Sequence, residues 1–283
     1  MSETLAPQTA LVTGAGRGIG RAIAEHLAAC GMKVAVASRT EAQVREVADA
    51  IGQAGGEALP LTIDVLDLES MQAAVSRVLD TWGRLDLLVN NAGSLAAMGP
   101  SWDTDPEAWA QDITVNVVGL YHGCRAAIPV MIEAGRGRVV NMVGGGTWGP
   151  FPNASAYASS KSAVMRFTEN LAVELDDQDA PVRAFAMTPG LVRTEMTRQF
   201  LESGPGQRWM KHVAAFLERG DDVPPDLAAR LVAAIAAGRL DAYHGRFLSA
   251  PEDADQVEAL ATRGTELGDD PDLRRLRISG WQR

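Results

Sequence analysis

The hydrophobic positions of this chain fall into two alternating kinds of block. Short, largely apolar runs with β-branched residues occur at Thr9–Thr13, Lys33–Ala37, Ala58–Ile63 and Leu85–Val89. Such runs predict strands covered on both faces. Between them lie longer stretches with apolar residues three and four apart, at Ile19–Ala29, Glu41–Ile51 and Glu69–Thr81. That spacing predicts helices with one buried face. Asp105–Pro106 pairs a capping acceptor with a proline at the first helical position, opening a helix that runs to about Glu133. Gly137–Val143 is a fifth strand, Ser155–Leu175 a long helix and Val182–Met187 a sixth strand. Helices fill the chain from Thr194 to about Gly238, broken at Ser203–Gly206 and Pro224–Pro225. Arg246–Ser249 closes the series as a seventh strand, and a polar tail follows.

Strict strand–helix alternation with largely apolar strands predicts an α/β fold. The expected architecture is a Rossmann-type doubly wound parallel sheet of about seven strands with helices on both faces. No linker, repeat or low-complexity stretch divides it. Residues 1–283 are read as a single dinucleotide-binding and catalytic domain, with a core at 8–250 and a charged extension at 251–283.

Composition narrows the partners. A net charge of −10 argues against nucleic acid, because phosphate binding needs a basic face. The two cysteines, Cys30 and Cys124, read as buried free thiols, and the scattered His26, His122, His212 and His244 offer no metal-ligand spacing. Met1–Gln8 lacks a signal-peptide pattern, and no apolar run approaches the ~20 residues of a membrane span. A cytoplasmic protein with no membrane partner is expected.

The first strand runs into Thr13-Gly14-Ala15-Gly16-Arg17-Gly18-Ile19-Gly20. Ligands of doubly wound sheets sit at the carboxyl ends of strands, where glycines let the backbone approach a pyrophosphate and the next helix presents unpaired N–H groups. After the second strand stand Ser38 and Arg39, where an acidic residue would select an unphosphorylated ribose. Arginine there pairs with a 2′-phosphate, so NADP(H) is expected over NAD(H), with Arg17 as a second cation. Tyr157 and Lys161 lie four apart in a predicted helix and share one face. A neighbouring ammonium favours the phenolate and so lowers the tyrosine pKa.

Taken in order, Thr13–Gly20, Asn90-Asn91-Ala92-Gly93, Asn116, Tyr157-x-x-x-Lys161 and Pro189-Gly190 resemble the short-chain dehydrogenase/reductase family over about Thr9 to Thr194. The resemblance implies an oxidoreductase in which Tyr157 exchanges a proton with a carbonyl or alcohol oxygen. Lys161 would hold the nicotinamide ribose, and Asn116 would hold a relay water. It further implies that Asn91, Ala92 and Gly93 line the adenosine-ribose side, and that Asp64 and Val65 meet the adenine. Pro189, Gly190, Val192 and Thr194 would bracket the nicotinamide, and the chain would form a homodimer or homotetramer through its long middle helices.

One position departs from the pattern. The family places a serine thirteen residues before the tyrosine; this chain has Gly144, inside Val143-Gly144-Gly145-Gly146-Thr147. Three readings stand side by side. Thr147 or a glycine-run N–H replaces the donor; the substrate, for example an imine or an enone, needs none; or the chain is a weak NADP(H)-binding sensor. The loops after the fourth, fifth and sixth strands carry Leu95, Met98, Trp148, Phe151, Met196, Phe200 and Trp209, which points to a hydrophobic carbonyl or alcohol as substrate.

Overall fold

The computed structural model describes Leu5, residues 8–264, Arg274 and Arg275. Seven parallel strands form one sheet: β1 (Thr9–Thr13), β2 (Lys33–Ser38), β3 (Glu57–Thr62), β4 (Leu87–Asn90), β5 (Gly137–Met142), β6 (Val182–Thr188) and β7 (Phe247–Ser249). Their order is β3-β2-β1-β4-β5-β6-β7, so the winding reverses between β1 and β4. At that point helices leave on opposite faces and a crevice opens beyond the strand ends. The doubly wound parallel sheet expected from the alternation is the one found.

Each strand alternates its side chains between two cores, as the period of two requires. Ala10 and Val12 point to one face, packed by α1 (Gly18–Ala29), α2 (Glu41–Gln53) and α10 (Pro225–Ala236). Leu11 points to the other, packed by α3 (Leu68–Trp82), α5 (Gly119–Glu133) and α6 (Ser155–Asp177). At the amino ends of the strands, buried Asp86 accepts from Thr9 N at 2.8 Å and pairs with Arg84 at 2.5 Å and Arg136 at 3.1 Å, fixing β1 against β4.

The helix opened by Asp105 is capped as expected, its carboxylate accepting from Ala108 N at 2.7 Å. It does not run uniformly. α4 (Pro106–Ile113) passes into a π turn at Thr114–Val118 before α5 begins. The combined helix Pro106–Glu133 has 28 residues and is long and apolar enough to cross a membrane by length and composition, a length of apolar helix the sequence reading does not anticipate. Buried Asp112 and Asn116 in its first half, and its packing on α3 and α6, make it a core helix of this fold.

Three short helices follow β6: α7 (Glu195–Glu202), α8 (Gly204–Trp209) and α9 (Lys211–Glu218). The charged segment after 250 joins the core in part. α11 (Ala250–Asp253) and α12 (Val257–Arg263) bury Ala250, Val257 and Leu260 in the first core. Of the basic run Leu273–Arg277, only Arg274 and Arg275 lie within the described residues. Arg274 forks onto buried Asp253 at 2.6 and 2.8 Å, and its carbonyl accepts from Phe247 N at 2.9 Å.

Candidate active site

The glycine bend is built for close approach. Gly14 and Gly18 have φ of +64° and +58°, the left-handed region that L side chains rarely adopt. A Cβ on Gly20 would lie 2.4 Å from Asn91 Nδ2 and 2.5 Å from Gly14 O. That space lets Asn91 staple the bend: its amide donates to Thr13 O at 2.9 Å and Gly14 O at 3.2 Å. Thr13 Oγ1 in return accepts from the N–H groups of Asn91 and Ala92, each at 3.1 Å. No side chain caps α1, so its first N–H groups face the crevice together with the positive end of the helix dipole. A cleft of about 320 Å³ runs from this bend to Tyr157 and Lys161. These features fit the pyrophosphate of a dinucleotide.

Ser38, Arg39, Asp64 and Val65 line the end of that cleft beyond β2 and β3, joined by Thr40, Gln43 and Ile63, which the sequence reading does not single out. Gly16 is needed there, because a Cβ would stand 2.9 Å from Ser38 Oγ. Arg17 and Arg39 are exposed on the rim, and Arg39 has no ion-pair partner among the described residues. Asp64 turns its carboxylate onto its own loop, accepting from Leu66 N at 3.0 Å. Asn91, Ala92, Gly93, Pro189 and Thr194 line the same cleft, whereas Gly190 and Val192 line the neighbouring cavity.

Tyr157 and Lys161 project from α6 into this cleft, the Lys161 Nζ 5.5 Å from the phenol ring centre and donating to Met142 O at 2.9 Å. Tyr157 Oη makes no hydrogen bond within the described residues. Burial, and next the charge of Asp112, push the phenol up to about 12. Burial pushes Lys161 down to about 8. The expectation that Lys161 lowers the tyrosine pKa is not met in this cleft, where burial and then Asp112 set the direction of the shift.

A lysine titrating lower in the fold than in the unfolded chain is bound more weakly to its proton when folded. Stability should rise between about 8 and 10.5 and be lost as pH falls through about 8. Lys161→Met should abolish this dependence, on the order of 2–3 kcal/mol across the window. Denaturant melts of both proteins at about pH 8 and about pH 10.5 check it; parallel curves would refute it.

Asn116 sits in the π turn and is buried. Its side chain makes three hydrogen bonds: Oδ1 accepts from Ser94 N at 2.7 Å, and Nδ2 donates to Ser94 O and Ser160 Oγ, both at 2.9 Å. The amide thus clamps the loop after β4 to α6, and Oδ1 keeps a second lone pair beside Gly93. Thr147 lines the second cavity, but its hydroxyl donates to Gly144 O at 2.7 Å and accepts from Gly144 N at 3.3 Å, closing a tight turn. At Gly144 a Cβ would stand 2.4 Å from Tyr157 Oη, so the phenol occupies the room a side chain would take. The N–H groups of Gly145 and Gly146 make no hydrogen bond within the described residues.

Beyond Tyr157 the cleft opens into a second cavity of about 530 Å³. Leu95, Trp148, Phe151, Met196 and Phe200 line it as expected. Trp209 does not: it lies against Arg208, 4.5 Å from ring centre to guanidinium, and beside Gly99. Met98 packs in the satellite core behind the wall with Ala154 and Met210. Val213, Phe216 and His212 of α9 and Phe247 of β7 complete the lining and go unnoticed in the sequence. The apolar spacing of Val213, Phe216 and Leu217 was the available signal. Trp148 meets Phe247 edge-on at 4.6 Å, and Phe151 stands between Tyr157 at 6.1 Å and His212 at 5.4 Å.

The model of the short chain dehydrogenase family matches residues 8–204. A short chain dehydrogenase of Pseudocercospora fijiensis is 33% identical over 275 residues, 93% of this chain and 87% of its own length. A trans-4-hydroxycyclohexanecarboxylate dehydrogenase of Sinomonas cyclohexanicum is 36% identical over 213 residues, 73% and 80% of the two chains. Among solved structures, a protein described as an NAD(P)-dependent gluconate 5-dehydrogenase from Beutenbergia cavernae, with NADP bound, superposes with a TM-score of 0.77 at 32% identity. The match covers 88% of this chain and 97% of that one. The glycine bend, the tyrosine–lysine pair and these likenesses agree: the chain belongs to the short-chain dehydrogenase family, and is an oxidoreductase that works with a nicotinamide cofactor.

Proposed function

We propose that this enzyme prefers NADP(H) and interconverts a hydrophobic secondary alcohol with its ketone or aldehyde, Tyr157 exchanging the proton. The carrying observation is the Tyr157 hydroxyl, which has no hydrogen-bond partner among the described residues and stands where the two cavities meet. A polar group placed there without a partner is one that awaits a ligand. The nicotinamide supplies the hydride chemistry when bound. Tyr157 meets the substrate oxygen, and a phenol held at high pKa serves as proton donor in the reducing direction. Lys161, Asn91 and the start of α1 hold the cofactor. The Gly145 N–H is the group best able to supply the second donor that the missing serine leaves vacant, with Thr147 holding the turn that presents it. The same glycine turn favours a second reading, reduction of an imine or enone that requires no such donor.

Selectivity rests on Ser38 and Arg39 at the ribose end, with Arg17 across the bend. NADPH should bind more tightly than NADH, and Arg39→Ala should weaken NADPH by roughly 10–100-fold, the worth of one charge-assisted hydrogen bond, while leaving NADH nearly unchanged. Fluorescence titration with both nucleotides reads this directly; tighter NADH binding to the native protein would overturn the assignment. A panel of hydrophobic ketones, imines and enones then separates the two readings. The apolar residues exposed on α5 and α6, Tyr121 and Val173 among them, support a homodimer or homotetramer assembled through these helices.

A further inference from the structure

Asp112 is fully buried in α4, and no cation lies within ion-pair distance of it among the described residues. A carboxylate taken out of water this way is costly unless hydrogen-bond donors surround it. All of its donors come from one short loop. Oδ1 accepts from Ser94 Oγ at 2.5 Å and from Ala96 N at 3.0 Å, and Oδ2 accepts from Ala96 N and Ala97 N, each at 2.9 Å. Leu95, in the middle of that loop, is a wall of the substrate cavity. Gly93, just before it, lines the cofactor cleft, and Asn116 grips the same loop at Ser94. Trp109, one turn before Asp112, donates to Ser155 Oγ at 3.1 Å and ties α4 to the start of α6, next to Tyr157.

Building on the reductase reading above, we propose that Asp112 is a positioning residue for the reaction, anchoring the Leu95 wall of the substrate cavity in register with Tyr157. A neutral side chain would fill the same space without the expense of burying a charge; a carboxylate offers two acceptor oxygens to three donors of one loop. Its charge has a second effect, since it disfavours the Tyr157 phenolate and so keeps the proton on the oxygen that must give it up. The charged and titratable groups around that phenol are Lys161 on its own helix, Asp112 on α4 and, beyond Phe151, His212 on α9.

Asp112→Asn tests this without a known substrate. Exchange of the Ala96 and Ala97 amides with deuterium should quicken by roughly tenfold, as expected for loss of a charged acceptor. The near-ultraviolet phenolate signal of Tyr157, isolated by subtracting the matching Tyr157→Phe protein, should appear at lower pH. NADPH titration should be unchanged, which shows that the fold and the cofactor cleft survive. For any ketone the native enzyme reduces, KM should rise by about tenfold with a smaller change in kcat. Should Asp112→Asn fail to fold, Ser94→Ala removes one donor only and should quicken the same amides to a lesser degree. Unchanged loop exchange and an unchanged phenolate onset would overturn the proposal. Neither measurement depends on turnover, so both stand apart from failure to find a carbonyl substrate.

Discussion

Replacing Tyr157 by phenylalanine should lower turnover by about 10²–10⁴-fold, the usual worth of a positioned general acid, while NADPH still binds. The hydroxyl has no hydrogen bond to lose within the described residues, so the substitution deletes one oxygen and disturbs no neighbour. The ring remains to pack against Phe151 at 6.1 Å and beneath the Lys161 ammonium at 5.5 Å. Stability should therefore change little, which separates loss of chemistry from loss of fold. Stopped turnover with intact nucleotide titration and an unshifted melting curve is the expected triad. A variant retaining most of its rate would remove Tyr157 from the mechanism and leave the cleft as a nucleotide-binding site only.

The second large effect is expected at Gly20. An alanine there places its methyl 2.4 Å from Asn91 Nδ2 and 2.5 Å from Gly14 O. Backbone cannot give way easily at the end of a buried strand, so the Asn91 amide must leave Thr13 O and Gly14 O. Both the bend and the nucleotide should suffer together. Overpacking of this kind costs about 1–3 kcal/mol, and nucleotide affinity should fall at least tenfold, or about 1.4 kcal/mol. Gly52→Ala is the control, since nothing lies within 4 Å of its Cβ and the position is in the last turns of α2. It should leave binding intact and add a few tenths to about 1 kcal/mol of stability. Equal behaviour of the two variants would mean that the bend tolerates a side chain.

The chain displays its fold openly because the sheet is buried on both faces. Residues such as Ala10, Leu11 and Val12 must all be apolar, and the helices between strands carry an unbroken three-four spacing. The bend and the Tyr157–Lys161 pair are equally legible, being local in sequence. What escaped depends on contacts between distant segments. Asp112 reads as one more polar position on a helix until the loop at 94–97 folds over it. Trp209 belongs to the right stretch of chain, yet the turn of α8 points it at Arg208. Thr147 has the right chemistry, but its hydroxyl is satisfied three residues away at Gly144. The direction of the tyrosine shift was misjudged because helical spacing conveys the neighbouring ammonium and says nothing of how much water the pair loses.

The π turn at Thr114–Val118 acts on geometry far beyond its five residues. One surplus residue in a single coil advances the downstream half of the helix by about 100°. The upstream half can then look toward α6 while the downstream half looks toward α3. Two unrelated neighbours are served by what is chemically one rod. Asn116 lies at the seam where the phase changes, its amide joined to Ser160 of α6.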